Sequence, residues 1–240
     1  MKKAAIYGQS YAVSSVKEIK TLLEVLEKNK IEFYIENEFY NLLIENKSLK
    51  NIYNSFKSFN DLDDSFDIMF TIGGDGTFLR SATHIRNLNI PILGINTGRL
   101  GFLAIVPKDV IEESINLVIN GEYTLQERTL LSVKTEPKTK DFSELNFALN
   151  EVTIAKKNTT SMIGVKTYLN QEYLTNYWAD GLIISTPTGS TGYSLSCNGP
   201  VILPDSKNLV ITPIAPHNLN ARPMVISDET KIELEVNSRE

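Results

Sequence analysis

The chain has 240 residues, of which 42% are hydrophobic, enough to bury a substantial core in one domain or two. Its formal net charge of −5, without a cluster of lysines and arginines, argues against broad electrostatic binding to nucleic acid or an anionic membrane. No apolar stretch approaches the roughly 18 residues that span a bilayer, and the N-terminus lacks the apolar core of a signal peptide. The single cysteine, Cys197, suits a reducing compartment and excludes a zinc site built on thiolates. We therefore expect a cytoplasmic protein that binds neither membrane nor nucleic acid.

The first half of the sequence alternates strand and helix patterns. Short apolar runs predict four strands, at residues 2–8, 31–36, 66–72 and 90–96. Apolar residues at helical spacing predict four helices, at residues 14–28, 38–46, 77–87 and 109–119. Residues 46–65 are polar and are predicted to form a surface connection. This alternation predicts an α/β layer with a parallel sheet, in which ligands bind beyond the carboxyl ends of the strands.

From about residue 121 the pattern changes to short alternating apolar runs separated by turn residues. This pattern is typical of an all-β domain. We place the boundary near residue 120, which gives an α/β domain over residues 1–120 and a β-rich domain over residues 121–240.

A glycine-rich loop, Gly73-Gly74-Asp75-Gly76-Thr77, follows the apolar strand at 66–72. Glycines let a ligand approach the backbone, and the helix that follows directs free N–H groups at an anion. Asp75 is unexpected there because a carboxylate repels phosphate, unless it accepts a proton from a hydroxyl, holds a metal ion or simply caps the helix. The spacing fits neither the dinucleotide fingerprint nor a Walker loop.

Two further stretches combine polar residues with an apolar strand. In "ALNEVTIA", Asn150 and Glu151 interrupt a hydrophobic run, and neighbouring strand residues face opposite sides unless the strand ends or bulges there. In "DGLIISTPTGSTGYSLSCNGP", a buried strand is followed by many hydroxyls and glycines, which suits either a ligand-binding loop or a plain surface loop. No serine there has the surroundings of a nucleophile, and His84 and His217 are more typical of structural positions than of catalysts.

Together, these loops in this order resemble the NAD kinase family. The resemblance rests on "TIGGDGTFLRSA", "PILGINTGRLGFLA", "NEVTI", "ADGLIISTPTGSTGYSLSCNGP" and "ITPIAPHNLNARPMVIS" and extends over nearly the whole chain. It implies an N-terminal α/β domain and a C-terminal β-rich domain. It also implies transfer of the γ-phosphoryl of ATP, or of polyphosphate, to the 2′-hydroxyl of the adenosine ribose of NAD, forming NADP. Mg²⁺ or another divalent cation would arrive with ATP, without an all-protein metal cage, and family members form homodimers or homotetramers.

The resemblance also implies roles for individual residues. Asp75 would be the general base, while Asn150 and Glu151 would hold the base and ribose of NAD. Asp180 would contact the nicotinamide end, and Phe102 would pack near the substrate. The other implied contacts with substrate or nucleotide are Gly74, Gly76, Arg80, Thr188, Gly189, Thr191, Gly192, Tyr193, Ser194, Leu195, Ser196 and the backbone of Ala215.

One departure from the family pattern is the end of the sequence at "ELEVNSRE", within a strand series. Members of the family continue with further strands, so we expect the β-rich domain to be shortened or truncated at its C-terminus. Two alternative functions remain at this point. One is a related GGDG kinase that acts on a lipid or sugar hydroxyl, although the lipid kinases typically place an Asn-Glu pair directly after GGDGT and the intact "TPTGSTGYS" also argues against this alternative. The other is a non-catalytic dinucleotide-binding module, which would have no need of Asp75.

Overall fold

The structure is a computed structural model, and it describes residues 1–9, 15–45, 56–139, 145–157, 161–218 and 220–238. These residues divide into two units, Met1–Leu125 and Gln126–Glu240. In the part of the chain that is described, no helix is both long enough and apolar enough to cross a membrane.

The first unit is an α/β layer built on a six-stranded parallel sheet. Its strands are β1 (Lys3–Gly8), β2 (Glu32–Glu36), β3 (Lys57–Phe59), β4 (Ile68–Ile72), β5 (Ile92–Asn96) and β6 (Val106–Pro107), in the spatial order β3-β2-β1-β4-β5-β6. Its helices are α1 (Val16–Lys28), α2 (Asn37–Glu45), α3 (Asp75–Ile85) and α4 (Ile111–Ile119), the last preceded by a 3-10 turn at Lys108–Val110.

Both faces of this sheet are covered, as the apolar strand sequences require. Alternate residues of β1 enter two different clusters, with Ile6 packing among the residues of α1 and Tyr7 packing near Phe66 and Met69. All five residues of β4 are buried. A strand buried on both faces is typical of a parallel sheet with helices on each side. The α/β class predicted from the alternating pattern is therefore confirmed.

The structure changes the prediction for residues 46–65. Lys57–Phe59 forms the edge strand β3, paired in parallel with β2, where we predicted a surface connection. A three-residue strand is too short for the alternation of apolar and polar residues to identify it. The rest of that stretch, residues 46–55, lies outside the described residues, as does Ser14 at the start of the first predicted helix.

The strand order fixes the place of the glycine-rich loop. The sheet grows outward in both directions from β1 and β4, so their carboxyl ends form the point where the order reverses. Ligands of open α/β sheets bind at such switch points. The loop at Gly73–Gly76 follows β4 directly and so begins at this point.

The second unit consists mainly of antiparallel sheets. Its strands are β7 (Leu131–Ser132), β8 (Phe147–Ala148), β9 (Glu151–Ala155), β10 (Ile163–Leu169), β11 (Glu172–Ala179), β12 (Gly181–Ser185), β13 (Asn208–Ile214), β14 (Met224–Ser227) and β15 (Ile232–Ser238). They form sheets of order β11-β10-β15, β14-β13-β12-β9 and β7-β8. A 3-10 turn at Thr188–Thr191 and the short helix α5 (Tyr193–Ser196) follow β12.

The core of the second unit joins its two larger sheets. Val165 and Tyr177 come from one sheet, and Leu182, Ile184 and Ile211 come from the other, all in one buried cluster. Apolar side chains from two sheets that meet in this way are the hallmark of a sandwich. The β-rich class expected for the second half is confirmed.

Candidate active site

The turn after β4 depends on glycine at its first position. Gly73 has a φ of 152°, and a Cβ there would overlap the side chain of Thr77. Only glycine adopts this backbone geometry without strain. Gly74 is the N-cap of α3, and open space surrounds the position that a Cβ would take at Gly74 or Gly76. A ligand can therefore approach the backbone at both glycines.

The carboxylate of Asp75 is held by a segment that lies beyond β5. Oδ2 accepts a hydrogen bond from the N–H of Phe102 at 2.8 Å, and Oδ1 accepts from the N–H groups of Leu103 and Ala104, each at 3.0 Å. Asp75 thus does more than cap its helix, which begins at Asp75 itself, two residues earlier than predicted. We call the three N–H groups of residues 102–104 the amide cradle.

Asn96, the last residue of β5, fixes the loop that carries the amide cradle. Its side chain is only 4% exposed and donates to the carbonyl oxygens of Arg99 at 2.8 Å and Ala104 at 3.3 Å. Its Oδ1 accepts from the N–H of Gly98 at 2.8 Å. The sequence analysis missed Asn96, although a polar residue at the end of an apolar strand is a signal that could have found it.

Phe102 and Arg80 both project from this part of the first unit. The Phe102 side chain is 69% exposed beside the amide cradle, so it is accessible for packing against a ligand. Arg80 is exposed on α3. With the Gln9 amide oriented so that its oxygen faces Arg80, that oxygen accepts from Nη1 at 2.9 Å and from Nε at 3.1 Å.

The side chains of Asn150 and Glu151 both lie near Gly192. Asn150 precedes the first residue of β9, so the rule that adjacent strand residues point to opposite faces does not apply to this pair. A Cβ at Gly192 would lie 3.3 Å from Glu151 Oε2 and 3.7 Å from Asn150 Nδ2. Among the described residues, neither Asn150 Oδ1 nor Glu151 Oε2 has a hydrogen-bond partner, although both atoms are buried. Burial raises the pKa of the Glu151 carboxyl above its ordinary value. Buried polar atoms without hydrogen-bond partners cost free energy of folding, so they mark a place where a ligand can supply the missing partners.

The loop after β12 packs tightly on the turn that holds Asn150. The Thr186 N–H donates to the Asn150 carbonyl at 2.9 Å, and the Gly189 N–H donates to Thr186 Oγ1 at 3.1 Å. A Cβ at Gly189 would overlap the Asn150 backbone. Gly189 is therefore required by a contact within the second unit, whereas a side chain at Gly192 would only be tight against its neighbours.

Arg128 is a second residue that the sequence analysis missed. Its guanidinium is half-buried, and it donates through Nη1 to Thr188 Oγ1 at 3.4 Å and through Nη2 to Gln126 Oε1 at 2.7 Å. Desolvation lowers the pKa of Arg128. The local sequence "QERTL" contains no signal that distinguishes this arginine from a surface one.

Several hydroxyls of the loop are used inside the fold. Ser194 is fully buried, and its Oγ lies 2.9 Å from Thr212 Oγ1. Ser190 Oγ donates to the Pro187 carbonyl at 2.7 Å and accepts from the Ile202 N–H at 2.9 Å. The exposed members of this segment include the side chains of Tyr193, 44% exposed, Leu195 and Ser196, whereas Thr191 is half-buried.

Asp180 and Ala215 lie at the opposite end of β12 from Glu151. The Asp180 N–H donates to the Ile214 carbonyl at 2.9 Å, which places Ala215 beside it, and Asp180 Oδ1 forms an ion pair with Lys156 at 2.7 Å. Gly181 pairs with Ile214 at this end, whereas Ser185 pairs with Glu151 at the other. Four residues of strand separate the two ends by about 13 Å. Ala215 has a φ of 44°, a strained value for a residue with a side chain.

These features define a protein built from an α/β unit with a Gly-Gly-Asp-Gly turn and a β-sheet unit. The sequence matches the model of the ATP-NAD kinase N-terminal domain over residues 6–123 and that of the ATP-NAD kinase C-terminal domain over residues 149–240. An NAD kinase of Flavobacterium psychrophilum is 57% identical over 238 residues, which cover 99% of this chain and 81% of the relative. The chain belongs to the NAD kinase family, whose known reaction converts NAD to NADP.

Two solved structures share the fold of this chain. Yeast NADH kinase complexed with NADH superimposes with a TM-score of 0.82 at 24% identity, over 99% of this chain and 73% of that one. An NAD kinase from Archaeoglobus fulgidus in complex with ATP superimposes with a TM-score of 0.75 at 25% identity, over 98% of this chain and 80% of that one. The family and relative matches show that the chain is an NAD kinase, and this argues against a lipid or sugar kinase and against a non-catalytic module.

Proposed function

We propose that the chain transfers the γ-phosphoryl of ATP, or a phosphoryl group of polyphosphate, to the 2′-hydroxyl of the adenosine ribose of NAD, with Asp75 as general base. The observation that carries this proposal is the fixed carboxylate of Asp75 after β4. A carboxylate offers about four lone-pair positions, and the amide cradle uses three of them. Oδ2 accepts from Phe102 alone, so it retains a position for the proton of a hydroxyl.

The surroundings of Asp75 suit an anionic substrate. Gly74 and Gly76 leave the backbone open to a diphosphate, and the N-terminus of α3 presents free N–H groups and the positive end of the helix dipole. A general base typically increases the reaction rate by about 10²–10⁴-fold. Orientation of the two reactants supplies a further large part of the acceleration in phosphoryl transfer.

For the second unit, we propose that Asn150 and Glu151 bind the base and ribose of NAD. Their unpartnered buried oxygens are the support for this role, because the amino group of the base and the hydroxyl groups of the ribose would donate hydrogen bonds to them. Thr188, Thr191 and Tyr193 would line the adenine side. The nicotinamide end would lie at Asp180 and Ala215, five residue steps or about 17 Å along the strand from Glu151, a separation that an extended dinucleotide can span.

Among the described residues, no group of three or more His, Cys, Asp or Glu side chains could hold a metal ion. The protein's own side chains in these ranges therefore do not fit an all-protein site for Mg²⁺. We propose that Mg²⁺ or another divalent cation enters on the phosphates of the donor, where it would neutralise charge. We also propose a cytoplasmic enzyme that assembles as a homodimer or homotetramer, which rests on the family resemblance.

The test is an assay of the purified chain with NAD, Mg²⁺ and either ATP or polyphosphate, with the phosphorylated position of the product assigned by ³¹P NMR. We expect NADP phosphorylated at the 2′ position with at least one donor. NAD binding without phosphorylation by either donor would contradict the proposal. Phosphorylation at another hydroxyl would contradict the assignment of the 2′-hydroxyl as the acceptor.

A further inference from the structure

We propose that Gly101 is a positioning residue for Asp75, because its missing side chain makes the space in which the carboxylate rests. This inference depends on the proposed role of Asp75 as general base. It concerns the residue that precedes the amide cradle.

A side chain at Gly101 has no room. A Cβ built there would overlap the carboxylate carbon of Asp75 and both of its oxygens, far inside any van der Waals contact. The carboxylate therefore lies against the backbone of Gly101 while it accepts hydrogen bonds from the three residues that follow.

Backbone conformation does not explain this glycine. Among the described glycines, positive φ values occur at Gly73 and Gly121 alone, so Gly101 has a φ that alanine also adopts. The steric conflict that alanine would introduce at this position is with the carboxylate itself.

The loop cannot easily move away from such a conflict. The buried side chain of Asn96 bonds the carbonyl oxygens of Arg99 and Ala104, which lie on either side of Gly101. The Asp75 carboxylate is the terminal group of a side chain and has a rotatable bond on which to turn. We therefore expect Gly101→Ala to displace the carboxylate from the amide cradle and to leave the loop in place.

Gly98 provides a matched control in the same loop. A Cβ there would meet nothing within 4 Å, and its φ also lies outside the positive range. Gly98→Ala keeps the N–H that donates to Asn96 Oδ1. The two substitutions add the same methyl group three residues apart, and only one of them touches Asp75.

The experiment measures kcat, KM for NAD, the Kd of NAD and the thermal midpoint for wild type, Gly101→Ala, Gly98→Ala, Asp75→Asn and the double variant Asp75→Asn/Gly101→Ala. We expect Gly101→Ala to lower kcat by about 10²–10³-fold, within the range of general-base catalysis, with the Kd of NAD within about threefold of wild type. Gly98→Ala should stay within about twofold of wild type. The double variant should lose no more activity than Asp75→Asn alone, because coupled residues are non-additive.

Gly101 has no positioning role if Gly101→Ala keeps the wild-type kcat while Asp75→Asn is impaired, or if the double variant loses further activity. Wild-type turnover by Asp75→Asn would instead overturn the general-base role and this inference together. If Gly101→Ala is unstable, Asp75→Ala/Gly101→Ala separates the causes. Recovery of the thermal midpoint supports the steric conflict, and a failure to recover overturns it.

Discussion

Glu151 is a half-buried carboxyl with an unpartnered oxygen, so its ionised form is destabilised in the folded chain. Because its pKa is raised above the ordinary value of 4.5, the folded state binds more protons than the unfolded state at pH values above about 4.5. Its contribution to stability is therefore fully present below that pH and is lost as pH rises through the raised pKa. At neutral pH, the carboxyl costs stability that NAD binding would recover.

We expect Glu151→Gln to raise the thermal midpoint relative to wild type at pH 8, by about 2–4 °C for each kcal/mol recovered, and to leave it nearly unchanged at pH 4. The reason is that glutamine does not ionise. Thermal melts at the two pH values measure this difference. A gap of equal size at both values would show that ionisation is not its cause.

The contacts of the Ser194 side chain indicate a structural role, since its buried hydroxyl forms a hydrogen bond with that of Thr212. We expect Ser194→Ala to leave the Thr212 hydroxyl without this partner and to cost about 1–3 kcal/mol of unfolding free energy. Denaturant unfolding of the variant measures this loss. The control is steady-state kinetics at a temperature where wild type and Ser194→Ala are both folded. If the variant has unchanged stability and a raised KM for NAD, the Ser194 hydroxyl contacts the substrate instead of supporting the fold.

At the scale of elements, the loop after β12 and the turn before β9 form one structural piece. Gly189 lies directly on the Asn150 backbone, and Thr186 bonds the carbonyl of the same residue. We expect Gly189→Ala to separate these two segments and to weaken NAD binding at least tenfold, with a lower thermal midpoint. Isothermal titration calorimetry with NAD measures the change in binding affinity.

A suitable control for that experiment is Gly98→Ala in the first unit, since it adds a methyl group where nothing lies within 4 Å. A substitution at Gly121 is unsuitable, because Gly121 has a φ of 79° and any side chain there is strained. If Gly189→Ala binds NAD as tightly as Gly98→Ala does, the contact between the turn before β9 and the loop after β12 is not needed for NAD binding.

The longer strands and helices of the first unit could be predicted because each repeats its apolar residues at the spacing of its own geometry, whereas only the β-rich class was predicted for the second unit. The edge strands β3 and β6 could not, since two or three residues contain too little of a repeat. The unusual position of Asp75 was visible in the sequence, but its partners were not. They are backbone N–H groups 27 to 29 residues further along the chain, and every non-proline residue carries such a group.

The pair Asn150 and Glu151 shows a different limit of sequence reasoning. Strand alternation predicts opposite faces for adjacent residues, and only the exact start of β9 reveals that Asn150 precedes it. Strand ends are the least certain feature of a pattern. Arg128 is harder still, because its contact with Thr188 spans 60 residues of sequence.

At the scale of the whole molecule, each unit supplies a different kind of group. The first unit presents a carboxylate fixed by backbone amides, and the second presents unpartnered buried oxygens beside a tightly packed loop. The family matches extend over both units, since they cover residues 6–123 and 149–240.

Metal removal should separate catalysis from stability. The described residues include no cluster able to hold a metal ion, so we expect excess EDTA to abolish phosphoryl transfer and to leave the thermal midpoint unchanged. Addition of Mg²⁺ should restore the activity. A thermal midpoint that falls with EDTA and recovers with Mg²⁺ would show instead that the protein holds a structural ion.

The most direct test of the central claim compares wild type with Asp75→Asn in NADP formation and in NAD binding. Asparagine keeps the size of the side chain and removes its ability to take a proton. We predict that the variant binds NAD within about threefold of wild type and turns over about 10²–10⁴-fold more slowly. Turnover at the wild-type rate, with binding intact, would contradict the role of Asp75 as general base.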